Sequence, residues 1–328
     1  MTTSAGLPAV RDSLHLALLA DPAGSPAVVD LTEAAVEHYA LGYSKHPPHV
    51  LFTEVHGARG LLMRALTSGT PVAVPVEAEL RRGIGWLSAL LGNLAFHLDD
   101  PTGARVHLAT AVTYGDRAGD ARLSAWAWGA QAMVARATGR HTAALAHAER
   151  AVACAPAGLP RAQAHAWARL PSLAALGRER EADAALATAT RELEADAHGW
   201  APGRFGYDAA EHALHEADAH RALRRTERAT ACAEQSLSTA TPGTPAWAAA
   251  SLLMAQTEAT TAPTDAAQRA DHVLTRILAT RLRSPSRARL TQLASALAGV
   301  DAAGVADLRE RVRALPPSID AHGGAVSA

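Results

Sequence analysis

The stretch from Trp86 to Cys154 constrains the fold of this chain more than any other segment. It is typical of two consecutive helical hairpins, each with a long helix, a short polar turn and a second helix. Its apolar residues follow a period near 3.6, which is the period of an amphipathic α-helix. A single hairpin cannot bury its apolar face alone, so hairpins of this kind must stack on neighbours. The sequence therefore predicts an array of stacked hairpins.

The same pattern recurs along the chain, marked by one small residue early in each second helix. These residues are 40, 38, 47 and 37 positions apart and are Ala104, Ala144, Ala182, Ala229 and Ala266. Small or apolar residues follow each of them four and seven positions later, which places them on one helical face. The spacing exceeds the about 34 residues of a minimal tetratricopeptide unit. We therefore predict an all-α fold, a right-handed α-solenoid of long tetratricopeptide-like hairpins.

Three segments are expected along the chain. Residues 1–70 are predicted to form N-terminal helices that pack on the solenoid, and residues 76–315 are predicted to form the tetratricopeptide-like repeats. The tail 316–328 follows two prolines and is predicted to be disordered. Within the first segment, Asp30 and Glu33 form a capping-box signature, which predicts that a helix begins there.

Charge and composition exclude several classes of protein. The net charge is −1, and basic and acidic residues alternate instead of forming a nucleic-acid or membrane-binding patch. No apolar run approaches the roughly 18 residues of a membrane span, and no signal peptide is visible, so we expect a cytoplasmic protein that does not bind membranes. One arginine-rich stretch is interpreted as a single exposed helical face: Arg276, Arg281, Arg283, Arg287 and Arg289.

The two cysteines, Cys154 and Cys232, are late in helical patterns and have no CxxC spacing. They are interpreted as reduced, buried thiols. Neither a phosphate-binding loop nor a nucleophile elbow is present in the sequence. Gly83 and Gly85 are not a dinucleotide fingerprint, because no strand precedes them. We therefore expect no metal and no cofactor.

Two runs of sequence resemble a known family. They are AVTYGDRAGDARLSAWAWGAQAMVARATGRHTAALAHAERAV and, later, GWAPGRFGYDAAEHALHEADAHRALRRTERATACAEQSLS. Both are similar to the tetratricopeptide-like effector region of actinobacterial helix-turn-helix transcriptional regulators of the XRE type, and the resemblance extends over residues 30–315. In that family a DNA-binding domain precedes this region. Residues 1–50 contain no two-helix motif with a basic recognition helix, so this chain is expected to lack that domain.

Candidate ligand-binding residues follow from the solenoid pattern. The first helix of each hairpin lines the concave surface, where such proteins hold their partners. Counting back from the repeat alanines predicts these inward positions: Trp86, Asn93, Phe96, Trp126, Met133, Arg136, Trp167, Glu211, Asp218 and Arg221. Tryptophan and arginine dominate binding hot spots. The alternative is that the indoles fill gaps between helices that alanine leaves open, and Trp128 is predicted to be core in either case.

The segment 207–220 is the most polar predicted helix, and it follows a predicted turn at 198–203. Its polar side chains form two stripes, one of Tyr207, Glu211, His215 and Asp218 and the other of His212, Glu216 and His220. Either stripe could ligate a metal or place a general base beside an acid. The last histidine comes one residue too late for a HExxH zinc site. The alternative interpretations are a polar ligand pocket and a solvated helical face.

Two functions are compatible with this pattern. The preferred one is a regulatory sensor or adaptor that binds a peptide, protein or small-molecule effector in the concave groove. The other is an enzyme of small-molecule (natural-product) metabolism, in which Glu211, His212, His215 and Asp218 perform acid–base chemistry. A module that serves only oligomerisation is the third alternative, and a homodimer is compatible with all three. A groove open at its edges would favour a binder, whereas an enclosed pocket with a shifted pKa would favour an enzyme.

The sequence also predicts that the purified chain does not bind DNA specifically, because it has neither a recognition helix nor net positive charge. A gel-shift assay at low salt with promoters of neighbouring genes tests this. We expect no retardation that survives competitor DNA. Tight, competitor-resistant retardation would contradict it.

Overall fold

The computed structural model describes residues 6–22, 24–69, 71–196, 201 and 203–317. Within these ranges the regular structure is helical, with no β-strand and one isolated antiparallel bridge between Ala201 and Tyr207. The predicted all-α class is confirmed. Most of the predicted tail and of the predicted turn at 198–203 lie outside the described residues.

Three N-terminal helices come before the hairpins: α1 (Gly6–Ala20), α2 (Pro26–Gly42) and α3 (Pro48–Thr67). The first hairpin pairs α4 (Val74–His97) with α5 (Pro101–Ala118), and the second pairs α6 (Ala121–Ala137) with α7 (His141–Cys154). In the third hairpin, the joined helices α8 (Leu159–Gln163) and α9 (Leu170–Ala175) pair with α10 (Glu179–Glu194). The fourth hairpin pairs α11 (Ala209–Ala222) with α12 (Thr226–Thr239), and the fifth pairs α13 (Pro245–Glu258) with α14 (Pro263–Arg276). The last helices are α15 (Ser284–Ala296) and α16 (Val305–Arg313). In the described part of the chain, no helix is both long and apolar enough to cross a membrane.

The repeat alanines have the predicted place in the fold. Each one is in the second helix of its hairpin and is fully buried. A methyl group fills little space, so the two helices of a hairpin can approach closely there. Gly139 and Gly177 adopt left-handed φ angles of +74° and +68° after the first helices, a conformation that glycine adopts without strain at a helix end.

Two local interpretations of the sequence change in the structure. The capping box at Asp30 and Glu33 is wrong, because α2 already begins at Pro26 with Ser25 as its N-cap residue. Proline suits the first position of a helix, since its fixed φ is helical and its missing N–H has no partner there. The Gly83–Gly85 pair serves packing: a Cβ on Gly83 would come within 2.4 Å of Thr32.

The first helices of the hairpins form a closed row. Helix α4 packs on α6, α6 on the segment between α8 and α9, α9 on α11, α11 on α13 and α13 on α15. Helix α15, at the end of this row, contacts α4, at its beginning, so the row is closed. The largest hydrophobic cluster joins the N-terminal helices to α4, α5 and α6, and a second one holds α13 to α16 together.

Polar contacts fix this closure. Arg283, the N-cap residue of α15, is 6% exposed, and its Nη2 donates a hydrogen bond of 2.6 Å to the carbonyl oxygen of Tyr43. Its guanidinium carbon also lies 4.1 Å from the centroid of the Tyr43 ring, a cation–π geometry. Arg281 donates to the carbonyl oxygen of Lys45 at 2.9 Å, and Ser284 to Asp99 at 2.9 Å.

The predicted exposed arginine face is therefore wrong. Of its members, Arg276 is exposed on α14, whereas Arg283 is buried against Tyr43. Arg289 is half-buried and contacts Asp218. The sequence pattern could not show this, because the partners of these arginines are up to 240 residues away in the chain.

Replacing Arg283 should destabilise the whole chain. The Arg283→Ala variant leaves the Tyr43 carbonyl oxygen buried without this donor, and we expect a loss of about 2 kcal/mol in the free energy of unfolding. Chemical denaturation monitored by circular dichroism measures it. Arg276→Ala removes an exposed arginine and should stay within about 0.5 kcal/mol of wild type. Equal stability of the two variants would show that the closure contributes nothing.

Candidate functional site

The inner side of the closed row of first helices holds a group of polar side chains, which we call the arginine cluster. Its members are Tyr43, Asn93, His97, Arg136, Arg204, Glu211, His215, Asp218, Arg283 and Arg289. They come from the end of α2, from α4, α6, α11 and α15, and from the loop before α11. Contacts between distant segments therefore build this site.

The loop 203–208 supplies the central arginine of the cluster. Its backbone is held from three sides: Arg204 N donates to the carbonyl oxygen of Ala40 at 3.1 Å, Arg122 donates to that of Phe205 at 3.3 Å, and Gln163 donates to that of Gly206 at 2.9 Å. The sequence predicts only a turn in this region. In the structure it is a docked segment that aims Arg204 at the first helices.

The Arg204 side chain connects the aromatic and acidic parts of the site. Its guanidinium carbon lies 5.4 Å from the Trp126 ring centroid and 5.2 Å from that of Trp167. Guanidinium groups are attracted to the faces of aromatic rings at such distances. Its Nη1 also donates a hydrogen bond of 3.1 Å to Oε1 of Glu211. The structure thus brings the predicted residues Trp126, Trp167 and Glu211 to one place.

The indoles are covered by the chain itself. The ring of Phe205 lies 4.5 Å from that of Trp86 and 4.9 Å from that of Trp126, and the rings of Trp126 and Trp167 are 5.3 Å apart. Trp126 and Trp167 are 4% and 3% exposed. They therefore form an aromatic floor beneath Arg204 and offer a ligand little open surface.

A distortion of the third hairpin places Trp167. Residues Ala164–Arg169 form a π-helical segment between α8 and α9. Pro171 has no N–H to donate to the carbonyl oxygen four residues earlier, which disrupts the α-helical ladder at Trp167. The proline, visible in the sequence, is the signal for this distortion. The indole also needs Gly129, because a Cβ at that position would lie 3.0 Å from the Trp167 ring.

Glu211 is the acid of the cluster whose pKa is raised. The carboxylate of Asp208, the N-cap residue of α11, accepts a hydrogen bond from the Glu211 backbone N–H at 2.8 Å, which fixes the start of the helix. Burial raises the pKa of Glu211 to about 7, against the lowering effect of Arg204. The side chain keeps 26% exposure, so solvent can reach it. At neutral pH this group is poised between its protonated and ionised forms.

The next two members of the stripe, one and two turns along α11, both have lowered pKa values, in contrast to the raised pKa of Glu211. His215 stacks on Tyr207 at 6.4 Å between ring centroids, and burial together with Arg136 lowers the pKa of His215 to about 3. Burial alone would raise the pKa of Asp218, but Arg289, Arg221 and Arg136 hold it well below its usual range. The imidazole is therefore neutral and the carboxylate ionised at neutral pH.

The solvated-face interpretation of this stripe is wrong. Tyr207, at its start, is 1% exposed, and Asp218 accepts hydrogen bonds from Arg289 at 3.1 Å and from Arg221 at 3.4 Å. His212 belongs to the other stripe and is half-buried, with its Nδ1 3.4 Å from the Tyr207 hydroxyl. His212 thus lies beside Tyr207, at the start of the first stripe.

The remaining predicted residues contact parts of the protein that surround the cluster. Asn93 is fully buried, and its Oδ1 accepts a hydrogen bond from the Tyr43 hydroxyl. Trp86 is half-buried and donates to Asp120 at 3.0 Å, and Met133 packs against the main hydrophobic cluster. Trp128 is half-buried rather than core, and Arg150 lies 4.7 Å above its ring.

Positive charge and unused hydrogen-bond donors dominate the cluster. It contains four arginines and two carboxylates, and one of those carboxylates has a pKa near neutrality. The buried nitrogens Arg204 Nε, Arg283 Nε and Asn93 Nδ2 have no hydrogen-bond partner among the described residues. Unpaired buried donors are rare in folded proteins, and each one calls for a partner. A ligand with negatively charged oxygen atoms would satisfy both the charge and these donors.

No protein-family model matches this chain, and no curated protein matches it.

The raised pKa of Glu211 predicts how stability depends on pH. A carboxyl whose pKa is higher in the folded state stabilises the fold while it is protonated, so its contribution is lost as the pH rises from about 4.5 through about 7. Urea unfolding should show wild type losing stability relative to Glu211→Gln across that range. The matched control is Glu227→Gln, at an exposed position of α12. A constant difference between wild type and Glu211→Gln would show that Glu211 titrates normally.

Proposed function

We propose that this chain is a right-handed tetratricopeptide-like α-solenoid in which the arginine cluster binds a small anionic effector, as in a regulatory sensor or adaptor. The observation that carries the proposal is the excess of arginine over carboxylate at one solvent-reachable, largely buried site. Buried charges are normally paired one to one, because an unpaired charge in a low dielectric is costly. A site left with extra guanidinium groups is best completed by an anion.

The chemistry of the donors favours carboxylate or phosphate groups. Guanidinium presents planar, parallel N–H groups that match the two oxygens of a carboxylate or phosphate. Arg204 and Arg289 each already bind one carboxylate of the cluster, Glu211 and Asp218 respectively. An effector with two anionic groups could engage these arginines together with Arg136 and Arg283.

The closure of the helix row supports a small effector over a peptide or protein. Helix α15 contacts α4, and Phe205 and Arg204 lie over the indoles that an open groove would present. A long partner needs a groove that is open along its length, whereas a small molecule needs only an entrance. The 26% exposure of the Glu211 side chain is consistent with such an entrance.

The elements that meet at the cluster suggest how binding would be transmitted. An anion held by Arg204 and Arg283 would contact the loop before α11 and the start of α15, both of which dock on α2 near Ala40 and Tyr43. Its binding would therefore tighten the closure between the two ends of the solenoid. This suits an effector region, as the resemblance to XRE-type regulators implies. A cytoplasmic location and a homodimer remain predictions.

Anion binding can be tested with inorganic phosphate, citrate and a panel of small di- and tricarboxylates. Isothermal calorimetry measures the affinity, and intrinsic fluorescence reports on Trp126 and Trp167 beneath Arg204. For any probe that binds, Arg289→Gln and Arg136→Gln should each weaken binding at least tenfold, because each removes a charged donor. The matched control is Arg276→Gln, which should bind like wild type.

The control also defines the outcomes that would contradict the proposal. If Arg276→Gln weakens binding as much as Arg289→Gln, the anions bind non-specifically to charges on the protein surface. If no probe in the panel binds at low salt, the arginines of the cluster contribute only to the structure and do not form an anion-binding site.

An acid–base enzyme is the second candidate, and one observation favours it. Glu211, with a pKa near 7, is one helical turn from the neutral imidazole of His215, so a proton donor or acceptor is adjacent to a hydrogen-bonding group. Glu211→Gln separates the two functions. Loss of turnover of a bound small molecule with unchanged affinity would establish the enzyme, because proton transfer needs the ionisable group and binding does not.

A further inference from the structure

A second group of reactive side chains lies on the other stripe of α11. Glu216 and His220 are four residues apart on this helix, and Cys232 faces them from α12. One ligand atom from each of the three lies within 4.8 Å of the others, and His220 Nε2 is 3.4 Å from Glu216 Oε1. The three residues therefore offer one oxygen, one nitrogen and one sulfur atom to a common point.

The surroundings of this trio are suited to a bound ion. His220 is 5% exposed, and its Nδ1 has no hydrogen-bond partner in the described part of the chain. Glu216 and Cys232 are half-buried and line an open depression of about 410 Å³ between α10, α11 and α12. The site is thus fixed on its protein side, and water can approach from the other.

We propose that Glu216, His220 and Cys232 bind one Zn²⁺ ion, with water as the fourth ligand. Carboxylate, imidazole and thiolate are the side chains that coordinate Zn²⁺, and three protein ligands with an open position form a known tetrahedral arrangement. Bonds of about 2.0–2.3 Å place tetrahedral ligand atoms roughly 3.3–3.8 Å apart, so small side-chain rotations would close the site. The mixture of hard and soft donors disfavours Mg²⁺ and Ca²⁺.

Metal binding would change the state of the thiol. Burial and the adjacent Glu216 carboxylate raise the pKa of Cys232 to about 12, and its S–H is hydrogen-bonded to that carboxylate. A thiol in this environment is a poor nucleophile. Zn²⁺ would replace the proton: the S–H bond breaks, a Zn–S bond forms and one proton is released to solvent.

The neighbouring charges leave the trio available. Asp183 lines the same depression, but Arg225 holds it through hydrogen bonds to both carboxylate oxygens. Arg228 also lines the depression and is exposed. This trio needs neither a HExxH nor a CxxC motif, because its ligands come from two helices, α11 and α12.

Cobalt substitution tests the site on the full-length protein after treatment with a chelator. Co²⁺ bound by a thiolate gives an intense charge-transfer band in the near ultraviolet, so we expect this band to saturate at one equivalent and to disappear when Zn²⁺ is added. Cys232→Ser should abolish the band. Cys154→Ser is the matched control and should retain it, because the Cys154 thiol bonds only backbone carbonyl oxygens among the described residues.

Two further measurements distinguish the loss of a metal ligand from the loss of the folded state. Glu216→Gln should weaken Co²⁺ binding at least tenfold while the thiolate band remains at saturating metal, and Zn²⁺ should raise the melting temperature of wild type but not of Cys232→Ser. Circular dichroism confirms that each variant is folded. Absence of Co²⁺ binding, binding without the thiolate band, or a band that survives in Cys232→Ser would each overturn the proposal.

Discussion

The contact between Arg283 and Tyr43 is the constraint on which the rest of the structure depends, because it joins segments 240 residues apart. In a stack of hairpins each repeat normally contacts only its neighbours, and the two ends remain free. Here a guanidinium satisfies a backbone carbonyl and covers the tyrosine ring, which fixes the start of α15 against the end of α2, while α15 also contacts α4. The closed row of helices then holds its inner polar side chains away from bulk water.

This closure explains why neighbouring groups on one helix have such different pKa values. Burial opposes charge at Glu211, His215 and Asp218 alike. Glu211 has one arginine to offset that effect and remains partly protonated, whereas Asp218 has Arg289 and two more and is ionised. The number of guanidinium groups within reach therefore decides the protonation state of each acid. An anion that binds the same arginines would compete with both carboxylates.

The sequence predicts those features of the fold that depend on residues within one or two helical turns of each other. Helical class, the buried repeat alanines and the left-handed Gly139 and Gly177 follow from local periodicity and sterics. It also places Trp126 and Glu211 on inward positions. It could not predict that Arg204 lies between them, because the docking of its loop on Ala40 depends on a contact 164 residues away. The composition of the site was thus half predictable, and its closure was not.

The burial of the indoles changes which variants can distinguish binding from packing. Trp126 is 4% exposed in the main hydrophobic cluster, and truncation of a buried aromatic side chain typically costs about 3–5 kcal/mol of stability. Lost binding in Trp126→Ala would therefore report on unfolding as much as on recognition. Arg289 keeps 17% exposure and contributes a charged donor to the cluster, so its exchange for the shorter, polar glutamine removes the charge without truncating a fully buried side chain. At this site Arg289 therefore separates recognition from packing, whereas Arg283 and the buried indoles do not.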